Sequence, residues 1–175
     1  MATIINIFDY FSQCNKYINV NMLEIIKENN IYNKALTGYF KNINEILFHI
    51  FDVDLSWTND LKQKINSDIF QNELYVKFDE NVNIVNPYKN IIDFETDRFI
   101  LDDLLIKFIK ELDEGDLAEN IIVDKTKNKS KSICEILIHT FNHQTHHRGQ
   151  ISQILDENRI ENDFSNMIRY NINLF

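Results

Sequence analysis

The sequence predicts an all-α protein, a four-helix bundle built as a single domain over residues 1–175. Three observations carry this reading. The chain holds only three glycines and one proline, whereas sheet-rich folds need many tight turns that draw on those residues. Apolar residues recur at helical spacing along four long stretches. The length suits one domain with room for a sizeable buried core.

The first helix is expected from about Thr3 to Glu28. Ile4, Phe8, Phe11, Ile18, Met22 and Ile25 fall on one stripe, and Thr3 can cap the start. The second runs from about Tyr39 to Ile65, with Ile43, Ile46, Ile50, Val53 and Trp57 on its apolar side. The third runs from about Phe94 to Leu112 on Leu101, Leu104, Leu105 and Phe108, and Gly115 in "DEGD" marks its stop. The fourth starts at Ser130 or Ser132 and ends near Asp156. There "SICE", Ser132 to Glu135, has the spacing of a capping box.

Three links remain. Residues 67–93 read as a long connection with a short helix. Residues 117–131 read as a short hairpin or an extended crossover. Residues 163–171, "DFSNMIRYN", read as a short extra C-terminal helix capped by Asp163.

The net charge of −9 argues against a nucleic-acid partner. The one basic cluster, "DKTKNKSKS" at 124–132, lacks interleaved aromatics and reads as a solvated loop. Cys14 and Cys134 make no disulfide framework and are expected to be buried free thiols. No basic leader with an apolar run opens the chain, and no stretch reaches about 18 uninterrupted apolar residues. The expectation is a cytoplasmic protein without a membrane partner.

Chemistry concentrates in "NHQTHHRGQ", residues 142–150, which holds three of the five histidines. On a helix, His147 and His139 lie about 40° to either side of His143, and His146 about 60° away. Ile136, Gln150 and Ile154 share the direction of His143, so the face is expected to point inward. His49 on the second helix keeps company with Ile46, Val53 and Trp57 and is expected to face the same interior.

Two histidines four apart can reach one ion, and a third from a facing helix completes three nitrogen donors. A structural or acid–base cluster is the alternative. His143 with His147 has ligand spacing, and so does His139 with His143, but His139 lies a turn nearer the helix start.

"HTFNHQTHHRGQISQIL", together with "ILFHIFDVDLSW" on the earlier helix, resembles the DinB family of metalloproteins, and the likeness extends over most of the chain. The resemblance implies an up-down-down-up bundle, often a homodimer. It also implies a divalent metal, zinc or nickel, held by residues at the positions of His49, His143 and His147. Activities in the wider superfamily imply thiol-dependent transfer or isomerisation with a low-molecular-weight thiol such as bacillithiol. A non-catalytic metal-stabilised stress-response or interaction protein and a metal-dependent hydrolase are the competing expectations.

Neighbouring residues carry further expectations. Arg148 points about 140° from His143 and should pair with a carboxylate on a neighbouring helix or across a dimer contact. Gly149 should allow close approach of another helix. Gln150 can hydrogen-bond a ligand imidazole or simply fill the core. Asp52 and Glu45 lie within about 60° of His49, as proton acceptors or as carboxylates at the bundle's edge. His139 and His146 are candidate proton-transfer groups or polar packing.

Overall fold

The computed structural model describes residues 3–77, 86–124 and 126–172. Four long helices dominate them: α1 (Ile4–Glu28), α2 (Ile43–Asp60), α4 (Ile91–Glu111) and α5 (Ile133–Glu157). A short helix, α3 (Glu73–Lys77), follows α2. A two-stranded hairpin, β1 (Asn120–Asp124) and β2 (Lys129–Ser132), precedes α5.

Side-chain pairs fix the directions of the four helices. Lys27 meets Glu95 and Lys16 meets Asp103, so α1 and α4 run antiparallel. Phe8 and Phe11 stack on Phe141, and Arg148 reaches Asn15, so α1 and α5 run parallel. His49 meets His147 while Trp57 meets His139, which makes α2 antiparallel to α5. The result is the up-down-down-up bundle.

Local chemistry sets the helix ends. Thr3 and Asn6 close a reciprocal box at the start of α1, and Ser132 and Glu135 close one at α5. The second helix begins later than its apolar pattern suggests. The Asn42 side chain accepts the Glu45 N–H, and the Glu45 carboxylate accepts the Lys41 N–H at 2.7 Å. Those bonds start the helix there and leave Tyr39 89% exposed in the preceding loop. Asn90, whose side chain accepts from Ile92 and Asp93, starts α4 three residues before Phe94. Asn30, at φ 51°, carries the left-handed turn that stops α1.

The segment at 117–131 is the hairpin and not the crossover, paired in antiparallel register Ile121↔Lys131. The C-terminal helix is a single 3-10 turn, Met167–Arg169. Its start is at Asn166 rather than Asp163, whose carboxylate accepts from the Ser165 hydroxyl instead. The terminal Leu174 and Phe175, apolar candidates for core or interface, lie outside the described residues.

The interior has two apolar cores with a polar layer between them. One core gathers Ile18, Leu23, Ile43, Phe51, Phe94, Leu101, Ile151 and Leu155. The other gathers Phe8, Leu61, Leu105, Phe108, Ile133, Ile136 and Phe141. Between them all four long helices contribute buried polar groups: Asn15 and Asn19, Asp54, Arg98 and Asp102, Gln144 and Arg148. The expected stripe on α1 holds for Phe8, Ile18 and Met22. Ile4 and Phe11, with Ile7 beside them, are exposed. Among the described residues no helix is long and apolar enough to cross a membrane.

Candidate metal centre

The antiparallel seam between α2 and α5 brings His49, His143 and His147 together. His143 Nε2 lies 3.1 Å from His49 Nε2 and 3.1 Å from His147 Nε2. One nitrogen from each falls within 4.8 Å of the others. Imidazole nitrogens about 2.0–2.1 Å from a shared ion, at angles between octahedral and tetrahedral, stand roughly 3 Å apart. The observed spacing fits that figure.

The cluster differs from the sequence expectation in where it points. It does not occupy the bundle centre, which belongs to the polar layer through Gln144 and Arg148 on the next face of α5. Instead two of its members, His49 and His147, line the wall of a cleft. His147 is buried, and His49 and His143 are half-buried.

Neighbours set the protonation of these rings. His147 Nδ1 donates to Gln150 Oε1 at 2.8 Å, which leaves its Nε2 lone pair facing the cluster. The same Gln150 amide places its Nε2 3.3 Å from His146 Nε2. Burial pushes the His143 imidazole down to about 4, and the other histidines around it push the same way. Burial also lowers His49 and His147, while the Gln150 contact partly opposes the shift at His147. All three rings are therefore held neutral, the form that ligates a cation. His143 Nδ1 is buried and meets no partner among the described residues.

Three neutral rings need hydrogens as well as lone pairs to satisfy one another. With His147 Nε2 committed as a lone pair, His143 can donate to only one of its two neighbours. A cation satisfies all three at once.

The other two histidines stand aside. His139 is exposed and edges onto Trp57, with its ring 6.0 Å from that of His143. His146 is exposed on the cleft wall.

The cleft has a volume of about 830 Å³ and is lined by His49, His146, His147 and Gln150 on one side. Phe40 and Ile46 continue the wall, and the loop through Leu36, Gly38 and Tyr39 forms the rim. The Phe40 ring sits 5.4 Å from His49 and 5.7 Å from His147, an apolar shield over the two rings. Tyr39 and Phe40 of this loop were expected at the start of the second helix, and their place at the cleft depends on Asn42 starting that helix late.

Other expectations divide. Gln150 does hydrogen-bond a cluster imidazole. Glu45 serves the start of α2. Asp52 is half-buried, and burial raises its carboxyl. Among the described residues Arg148 pairs with no carboxylate. Its guanidinium donates to the Asn15 side-chain oxygen and to Thr145 Oγ1, because its face of α5 meets the polar layer. Burial pushes it down to about 10. Gly149 is not a close-approach site for another helix of the bundle, since a Cβ built there meets nothing within 4 Å among the described residues. It lines the cleft. Cys14 is buried as expected, while Cys134 is half-buried.

The sequence reading missed the network beneath the site. Arg98 donates to Asp54 Oδ2 and to Asp102 Oδ1, both at 2.7 Å. Asn19 donates to Asp102, and Gln144 to Asp54 at 2.8 Å. Burial pushes the Asp54 carboxyl up to about 7 against the pull of Arg98. The available signal was Arg98 itself, which stands in the apolar stripe between Phe94 and Leu101 at steps of four and three.

This geometry can be set against known proteins. The sequence pattern of the DinB family matches residues 1–158. The chain belongs to the DinB family. It is similar to Protein DinB of Bacillus subtilis (strain 168), with 24% identity over 149 residues, covering 85% of this chain and 82% of that protein. The matched span contains α1, α2, α4 and α5, and therefore all three histidines of the cluster.

Proposed function

We propose that this DinB-family protein is a metal-dependent enzyme that transfers a small-molecule thiol to an electrophile. Its metal ligands are His49, His143 and His147. The observation carrying this reading is the convergence of three neutral imidazole nitrogens beside an open cleft of about 830 Å³. Three protein ligands leave a position free, as catalytic sites require. A divalent ion there, zinc or nickel by the chemistry of imidazole donors, supplies the charge that favours thiolate over thiol.

The chain's own residues do the rest. Gln150 holds the His147 ring in one tautomer and orientation. Phe40 and Ile46 give one wall of the cleft an apolar surface, and residues 36–40 border it. In the overall step the thiol loses its proton to solvent and its sulfur forms a bond to the electrophilic carbon. The bond from that carbon to the leaving group breaks, and the leaving group departs with the electron pair.

The test is turnover of a bacillithiol-type thiol with an alkylating acceptor by metal-loaded protein. The expected result is thioether formation that disappears in His143→Ala. Full metal loading with no thiol turnover would overturn the enzymatic reading.

A second reading is favoured by the origin of the ligands on two different helices. An ion there ties α2 to α5 and can serve stability alone, in a non-catalytic stress-response protein. A homodimer belongs to the same proposal. The exposed Ile4, Ile7 and Phe11 of α1 lie at the same end of the bundle as exposed Ile138 of α5, and they offer it an apolar surface.

A further inference from the structure

A second cavity, of about 500 Å³, lies along α5 from the metal cluster and is used by nothing described so far. Its walls come from α2, α5 and the β1–β2 hairpin. Trp57 of α2 forms one side. Ile138, His139 and Asn142 of α5 form another, at helical spacing on one face. Lys129 and Lys131 of β2 form the third. The two lysines are two apart on a strand, so their side chains leave the same face of the hairpin. Its volume is that of a small-molecule site.

The charge in this groove is opposite to that of the whole chain. The one acid in its wall, Glu135, is already engaged, with Lys131 at 2.5 Å and with the Ser132 N–H at 3.0 Å. Lys129 makes no ion pair among the described residues, which leaves one net positive charge beside a half-buried indole. The Asn142 side chain adds an amide. The sequence reading treated these lysines as a solvated loop. The hairpin, however, places two of them in the wall of the cavity that Trp57 also lines.

We propose that this groove binds a small organic carboxylate, with its apolar body against Trp57 and Ile138 and its acid group between Lys129 and Lys131. The apolar part gains burial on the indole face. The acid gains charge-assisted hydrogen bonds from ammonium groups. The site is separate from the metal ligands, and the proposal does not rest on the enzymatic reading.

The experiment uses the chain's single tryptophan as reporter. Metal-loaded protein is titrated with cyclohexanecarboxylate, the matched cyclohexanecarboxamide and cyclohexylmethylammonium, following Trp57 fluorescence and confirming by calorimetry. The expected result is saturable binding of the carboxylate, weaker binding of the amide and none of the ammonium. Lys129→Glu, at an exposed position, should weaken the carboxylate by about tenfold or more. Lys129→Arg should retain it.

His143→Ala should still bind the carboxylate. Loss of binding in that variant would place the acid on the metal and overturn the groove. Equal binding of carboxylate and amide, no saturable signal, or an unchanged Lys129→Glu would each overturn it as well.

Discussion

His147 Nδ1 lies 2.8 Å from Gln150 Oε1, and this contact decides which nitrogen of His147 faces the cluster. Without the amide oxygen the ring is free to exchange tautomers and to turn. Gln150→Leu should therefore weaken metal binding by about ten- to a hundredfold, the usual cost of losing such a partner. The helix and the melting temperature of the metal-free protein should stay nearly unchanged. Competition against a coloured chelator measures the affinity, and an unaltered affinity would remove Gln150 from the site.

Metal should also stabilise the bundle, because the ligands join α2 to α5. At a hundredfold excess of free ion over its dissociation constant the gain is about 2.7 kcal/mol. Thermal melts with and without chelator should separate for the wild type and coincide for His143→Ala.

The metal-free protein should lose stability in mild acid. Burial and the neighbouring histidines hold the His143 imidazole at about 4 in the fold, against 6.5 for a free ring. Between those values the unfolded chain binds a proton that the folded chain refuses. The contribution is thus full above the unfolded value and is lost as pH falls through the folded one. Asp54 acts with the opposite sign, since its carboxyl is raised by burial. The diagnostic quantity is the difference between variants. From about pH 7 to about pH 5, the metal-free wild type should lose more melting temperature than His143→Ala.

The polar layer predicts a large stability effect remote from the cleft. Arg98 bridges Asp54 and Asp102, and all three are at most 3% exposed. Arg98→Met leaves two buried carboxylates without their shared cation, at a cost of about 3–5 kcal/mol. Denaturant unfolding measures it, and a change under about 1 kcal/mol would mean the layer is solvated.

Gly149 gives a prediction of the other sign. It sits inside α5 with free space where a Cβ would go. Gly149→Ala should stabilise the protein by about 0.5–1 kcal/mol. Chemical denaturation checks this directly.

How much of this the sequence carried depends on the range of the cause. Helical periodicity and the boxes at Thr3 and Ser132 are local, and they located the helices to within a turn at most ends. The start of α2 escaped because Asn42 and Glu45 outweigh the apolar reading of Tyr39, and the cleft rim escaped with it. The spacing of His143 and His147 is likewise local, and His49 was within reach because its helix pattern was clear.

Arg148 and Gly149 were misjudged for a different reason. Angles on one helix say which residues share a face, but they do not name the neighbour that the face meets. The polar layer is spread over four helices, so no single stretch shows more than one or two of its members. The groove at Trp57 needed the hairpin register, which places Lys129 and Lys131 only once β2 is paired.

The central claim is that His49, His143 and His147 share one cation. Elemental analysis of purified wild type beside His49→Ala and His143→Ala tests it most directly. The account predicts close to one equivalent of a divalent metal per wild-type chain and near-complete loss in both variants, with the helical fold retained. A wild type that takes up no metal under metal-replete conditions, or variants that keep their full equivalent, would contradict it.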